Sequence, residues 1–160
     1  MDKMSATEKL ARYWTAQGLA PQGGAAIGAV GAFEETHRVV VPDDFREYLL
    51  RLNGLADYGP GADQNGFGFW PLSRIRPVAT EERPPHFTES GYFVFADYLD
   101  WSWAYAIQLL EDRAHGEVVH VGTLDAKVAA PSFSVFVDLY VADAPALYPS
   151  QDPPGRRGNR

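Results

Sequence analysis

The apolar residues of this chain change their period as it proceeds. Over 5–17, Leu10, Tyr13 and Trp14 fall at i, i+3 and i+4, a spacing that places them on one helical face. Ser5 and Thr7 are candidate N-caps, Glu8 lies in the first turn, and Gly18 is placed to stop the helix. The stretch 18–24, GLAPQGG, is a connector by its Pro and Gly content. Ile27, Val30, Phe33 and Glu34 suggest a second helix over roughly 25–37. Gly28 and Gly31 weaken that helix by about 1 kcal/mol each relative to alanine. The strongest helical pattern is 42–53, where Phe45, Tyr48, Leu49 and Leu52 repeat at i, i+3, i+4 and i+7. Pro42 suits its first turn, Asp43 and Asp44 favour the positive end of its dipole, and Asn53-Gly54 closes it.

After a turn-rich loop at 55–66 the period shortens to two. FGFWPL reads as a short aromatic strand whose Pro71 marks an edge or an end. The segment 77–90 holds Pro77, Pro84 and Pro85 and should be irregular. In 92–98, Phe93 and Phe95 are expected on one face, opposite Tyr92, Val94 and Ala96. In 102–109, Trp103, Tyr105, Ile107 and Leu109 alternate with Ser102, Ala104, Ala106 and Gln108. The short link Leu99–Trp101 makes these two strands an antiparallel pair, with Trp101 and Trp103 expected to share the face of Tyr105. EVVHV is a third strand. A last helix begins near Ser132, with Phe133, Phe136, Val137, Tyr140 and Val141 on one face. Helices, then a run of strands, then a helix, without strand–helix alternation, predict an α+β domain: a mostly antiparallel sheet of four to six strands with helices packed against it. The expected division is a helix and connector at 1–24, a domain at 25–144, and a disordered tail at 145–160.

Composition narrows the functions open to such a domain. The chain has no cysteine, which excludes a disulfide scaffold, a thiolate metal site and a cysteine nucleophile. No run approaches the roughly 20 apolar residues of a membrane span, and the first residues hold no apolar signal core, so the expectation is cytoplasmic with no membrane partner. The formal net charge of −7 argues against direct nucleic-acid binding, which rests on Lys and Arg neutralising phosphates. The basic residues cluster only at Arg156, Arg157 and Arg160. An acidic body suits a basic partner, because complementary potentials speed encounter.

Candidate chemistry is sparse. The four histidines His37, His86, His115 and His120 lack ligand spacing, the Gly-rich GGAAIGAVG lacks the lysine of a phosphate loop, and no cofactor or metal is expected. Asp57, Asp63 and Asn65 share a loop that faintly resembles a set of calcium ligands, but its spacing is not the EF-hand pattern, and local turn bonding is the better account. Asp97 and Asp100 flank the hairpin, and a carboxylate pair held a suitable distance apart in a cleft could do acid–base work, but solvation or capping of the turn is the better account. If acids form an interface, the candidate contacts are Asp57, Asp63, Asp97 and Asp100, with Tyr58 and Tyr98 as neighbouring anchors.

Taken in order, these elements resemble the SUKH superfamily, which holds the yeast Smi/Knr cell-wall synthesis regulators and many bacterial immunity proteins. The resemblance runs from about residue 26 to residue 142. It is carried by VPDDFREYLLRLNG at 41–54, FWPLSRI at 69–75, YFVFADYLDWSWAYAIQL at 92–109, GEVVHV, and APSFSVFVDLY at 130–140. The recurring family positions are Pro42, Tyr48, Leu49, Asn53, Gly54, Ser132 and Phe133, all with structural explanations. The resemblance implies a binding protein, not an enzyme. It implies an immunity protein that neutralises a cognate toxin, a basic nuclease being one form, with a regulatory or scaffolding module as the alternative. Catalysis by Asp97 and Asp100 is the third and weakest reading.

Overall fold

In a computed structural model, the structure describes residues 4–56, 63–80, 90–99, 101–111, 116–122 and 127–148. Helices α1 (Ala6–Ala16), α2 (Ile27–His37) and α3 (Asp43–Arg51) precede strands β1 (Phe67–Phe69), β2 (Arg76–Pro77), β3 (Tyr92–Tyr98), β4 (Trp103–Gln108), β5 (Val118–Val121) and β6 (Val128–Ala130). Helix α4 (Phe133–Val141) and a 3-10 turn, Pro145–Leu147, follow. The sheet order is β1-β3-β4-β5-β6, with β2 also on β3, and every pairing is antiparallel. This is the expected α+β architecture.

Local sequence explains most of the helix ends. Ser5 caps α1, accepting from Glu8 N at 3.1 Å while Glu8 Oε1 accepts from Ser5 N at 3.0 Å, a reciprocal capping box. Pro42 stands at the N-cap of α3, one position before the first turn expected for it. Asn53 and Gly54 end that helix with φ of 57° and 81°. Gly54 cannot be replaced, because a Cβ there would lie 2.7 Å from the Trp70 backbone. Asn53 is used twice, since its Oδ1 also accepts from Leu72 N at 2.7 Å.

The connector before α2 is bound along its length to the end of α3. Gln22 N, Gly23 N and Ala25 N donate to Gly54 O, Leu52 O and Leu49 O at 2.8, 3.1 and 2.8 Å, so it satisfies carbonyls that a helix end leaves without partners. At the other end, Asp44 Oδ2 accepts from Ser134 N and Ser134 Oγ at 2.9 and 2.8 Å. One helix's acid thereby holds the N-terminus of α4, where the dipole favours negative charge. Ser132 completes that cap, accepting from Val135 N.

The core is aromatic. Phe45 meets Phe95 and Phe133 edge-on at 5.6 and 5.0 Å, Phe95 meets Phe136 at 5.3 Å, and Phe69 meets Tyr140 at 4.9 Å. Such pairs add about 0.5–1.5 kcal/mol each beyond the area they bury. Helix α1 belongs to this core: Leu10 and Trp14 are fully buried, and Trp14 Nε1–H donates to Tyr140 Oη at 2.9 Å.

Two expectations about the strands change. Strand β3 is buried on both faces, and its register against β4 slips between Val94 and Ala96. This bulge at Phe95 adds one residue on one side, so Ala96, not Phe95, pairs with Tyr105. Simple alternation over 92–98 therefore fails. Trp101 does not extend the face of Trp103: it lies in the turn before β4 with φ of 72°, and its ring sits against Gly122.

Candidate functional site

The turn joining β3 to β4 is strained and carries apolar side chains. Leu99 and Trp101 hold φ of 46° and 72°, a left-handed conformation that costs an ordinary residue roughly 1–2 kcal/mol. Strain of this kind collects at functional turns and persists where the surroundings fix it. Here Ser102 N donates to Tyr98 O at 2.8 Å and Leu99 N to Gly66 O at 2.9 Å. A Cβ on Gly66 would lie 2.7 Å from the Leu99 side chain, so the glycine makes room for it. Leu99 is left 50% exposed.

Beside Leu99 opens a cleft of about 580 Å³ lined by Tyr98, Leu99, Ser102, Trp103 and Tyr148. The Tyr98 and Trp103 rings stack at 4.3 Å and 15°, and Tyr148 stands against Tyr98 at 5.6 Å and 83°. The wall is fixed from behind. Trp103 Nε1–H donates to Tyr105 Oη at 2.9 Å, and Tyr105 Oη–H donates to Leu147 O at 2.7 Å. His120 Nε2 lies 2.8 Å from the same carbonyl. This double latch seats Leu147, fully buried, and so places its neighbour Tyr148 over the sheet. The ordered chain therefore runs past Pro145, where the sequence suggested a tail; residues 149–160 lie outside the described residues.

Electrostatics makes these groups fixed donors. Burial pushes the Tyr105 phenol well above its ordinary range. Burial, then the hydrogen bond to Asp143, does the same for Tyr148. Both stay protonated at neutral pH, suited to orientation and not to proton transfer. Burial holds His120 below its ordinary value.

The six expected contact residues fall in three places. Tyr98 lines the cleft. Asp63 and Asp97 are interior, 4% and 5% exposed, which departs from the surface role expected of them. Asp63 Oδ1 accepts from Asn65 N and Phe67 N, both at 2.8 Å, and its Oδ2 accepts from Tyr140 Oη. That is the turn bonding the loop chemistry suggested, extended to tie the turn to α4. Asp97 Oδ1 faces Trp70 Nε1 at 3.4 Å, under a ring that Arg74 covers at 3.8 Å. Asp57, Tyr58 and Asp100 lie outside the described residues, as do His86 and His115. No geometry is thus given for the Asp97–Asp100 pair. Among the described residues no three His, Asp or Glu side chains gather as a metal site, and no helix is long and apolar enough to cross a membrane.

Sequence reasoning did not single out Leu99, Ser102 or Tyr148 as site residues. A signal for Tyr148 existed in the apolar pair Leu147-Tyr148, set in a polar, Pro-rich stretch. A second opening, about 490 Å³, runs between α2 and residues 72–75, lined chiefly by Ala25, Ala29, Ala32, Phe33, Leu72 and Ile75.

The described family model for SMI1 / KNR4 (SUKH-1) matches residues 24–139. The chain belongs to the SMI1 / KNR4 family (SUKH-1). A comparison with curated proteins finds no match. Within this SUKH-1 chain each recurring family position has a structural cause. Pro42, Asn53 and Gly54 bound α3, Tyr48 and Leu49 fill the core beneath it, Ser132 caps α4, and Phe133 packs on Phe45. Helix α1 and the latch residues Leu147 and Tyr148 lie outside the matched segment.

Proposed function

We propose that this SUKH-1 chain is a non-catalytic immunity protein that neutralises a cognate toxin by stoichiometric binding, with the cleft at the β3–β4 turn as its docking point. The observation that carries this reading is the strained turn itself, which presents Leu99 half-exposed among Tyr98, Trp103 and Tyr148. Large rings on a rigid sheet make efficient anchors, because little side-chain freedom is lost on docking. The negative net charge supports a basic toxin as partner.

If a toxin is encoded beside this gene, co-expression with it should restore growth and yield a complex of fixed stoichiometry. Leu99→Lys should weaken that complex at least about tenfold, as truncation or charging of a central anchor does, with little change in stability at an exposed site. Neither rescue nor complex with a confirmed toxin removes the immunity reading. An unchanged affinity in Leu99→Lys removes the cleft from it. The family match also favours a second reading, a regulatory or scaffolding module of the Smi/Knr kind; a housekeeping locus with no toxin gene beside it would point there.

A further inference from the structure

The rings of the cleft, with a carboxylate held by the Tyr148 hydroxyl, offer contacts that suit a cation. We propose that the cleft receives an arginine side chain of the protein partner, the guanidinium lying against the Tyr98 and Tyr148 rings with Asp143 as its counter-charge. This rests on the docking reading above and names the chemical group that docks.

Three observations converge on it. First, the rings of Tyr98 and Tyr148 meet edge to face at 83° with centroids 5.6 Å apart, Trp103 stacks on Tyr98, and Phe67 stands against both tyrosines at 5.0 and 5.9 Å, so the two rings are held crossed and fixed. A planar cation can lie on one ring while its N–H edge meets the other. Second, a carboxylate is held at the hydroxyl end of Tyr148. The Tyr148 hydroxyl donates to Asp143 Oδ1, and Asp143 is exposed. The Asp143 and Asp63 carboxylates both raise the proton affinity of the Tyr148 phenol, after burial. Among the described residues, those lining the cleft include no basic side chain. Third, the fold already stacks a guanidinium on an aromatic ring: Arg74 lies 3.8 Å from the centre of Trp70. The chain's charge of −7 adds long-range attraction for a basic partner.

Arginine fits better than lysine, because its flat, weakly hydrated head stacks on rings and keeps its N–H edge free for a carboxylate. An uncharged chain of the same length would gain only the apolar contact.

The test uses the full chain with its tyrosine rings isotope-labelled, titrated with capped arginine and with its citrulline and norleucine counterparts. Arginine should move the Tyr98 and Tyr148 ring signals with an affinity on the order of millimolar, and citrulline should bind about threefold more weakly or worse, the scale of an exposed cation–π contact. Raising salt should weaken arginine alone. Asp143→Asn keeps a side chain that tolerates the left-handed backbone at φ of 52°; it should lower arginine affinity by about the same factor and leave citrulline unchanged. Norleucine binding as tightly as arginine, arginine shifts that persist in Tyr148→Ala, or no shift at either ring would each overturn the assignment. Loss of arginine preference, with the toxin complex still broken by Leu99→Lys, would overturn the guanidinium reading alone. A toxin complex unaffected by Leu99→Lys would overturn the docking reading beneath it.

Discussion

The cleft at the β3–β4 turn and the groove along α2, about 580 and 490 Å³, are similar in size and differ in how they are made. The groove along α2 is lined by four alanines together with Phe33, His37, Leu72 and Ile75, and its helix buries Val30 alone. Its attachment to the body rests on the connector's backbone bonds to α3, on the Glu34 carboxylate, which accepts from Val41 N at 2.8 Å and from Arg46, and on Phe33 and His37 against Phe93 at 5.5 and 5.1 Å. The cleft at the β3–β4 turn is bounded by rings, each braced by a hydrogen bond or a second ring. Exposed apolar surface alone therefore does not single out a recognition site. Preorganised anchors with polar handles do, because they lose little entropy on binding.

The largest expected effect tests the backbone attachment of the groove. In Gly24→Ala the new Cβ would lie 1.9 Å from Leu50 O, so the connector must leave α3. Three hydrogen bonds to its carbonyls are at stake, at about 1 kcal/mol each. Urea unfolding should show a loss of about 3 kcal/mol at constant m-value, while the ring signals of Tyr98 and Tyr148 stay in place. A neutral outcome would mean the connector contributes nothing to stability.

The cleft is broken more gently. Tyr105→Phe removes the acceptor of Trp103 Nε1–H and one of two groups on Leu147 O. A buried N–H without a partner costs about 1–3 kcal/mol, and the loosened Leu147 should carry Tyr148 with it. Urea unfolding should show that loss, and toxin affinity should fall although residue 105 is fully buried. Stability lost with affinity intact would separate the latch from the site.

Much of this was legible in the chain, and the reasons are local. Helix α3 carries its own stop signal and its own apolar stripe, so Phe45, Tyr48 and Asn53-Gly54 announce it. The β3–β4 pair follows from a short link between two strong strands. The bulge at Phe95 was not legible, because a strand buried on both faces has no polar alternation to fix its register. The two-residue β2 offers no pattern at all. At the site, Tyr98 was visible as an aromatic beside the hairpin. Tyr148 was not, since its place depends on a carbonyl held by Tyr105 and His120, 42 and 27 residues away. Asp63 could be recognised as a turn residue, yet its bond to Tyr140 spans 77 positions and leaves no trace in spacing.

The latch also gives the fold a pH-dependent stability. Burial and the nearby Lys127 lower the His120 pKa from its ordinary 6.5, against the opposing bond to Leu147 O. In the unfolded chain this histidine binds its proton near 6.5, whereas folded it does so only at lower pH. Unfolding therefore takes up a proton in that window, and stability contributed here is present above about pH 6.5 and lost as pH falls below it. His120→Gln should flatten the dependence of the urea midpoint on pH between neutrality and mild acid. An unchanged slope would place the acid sensitivity elsewhere.

The smallest change could reverse the comparison. A Cβ at Gly28 or Gly31 meets nothing within 4 Å, and neither residue has a positive φ, so the folded monomer has no steric need for glycine at either position. Gly31, inside α2, should become more stable as alanine by about 0.5–1 kcal/mol. Gly28, in the first turn, should gain less. If the cleft alone docks the toxin, the double variant Gly28→Ala/Gly31→Ala gains stability and binds as before, by calorimetry. If affinity instead falls while stability rises, the two glycines keep α2 smooth for a partner that lies along it. The exposed face of α2 that carries the two glycines would then be the recognition surface, with the braced rings of the β3–β4 turn holding only the fold.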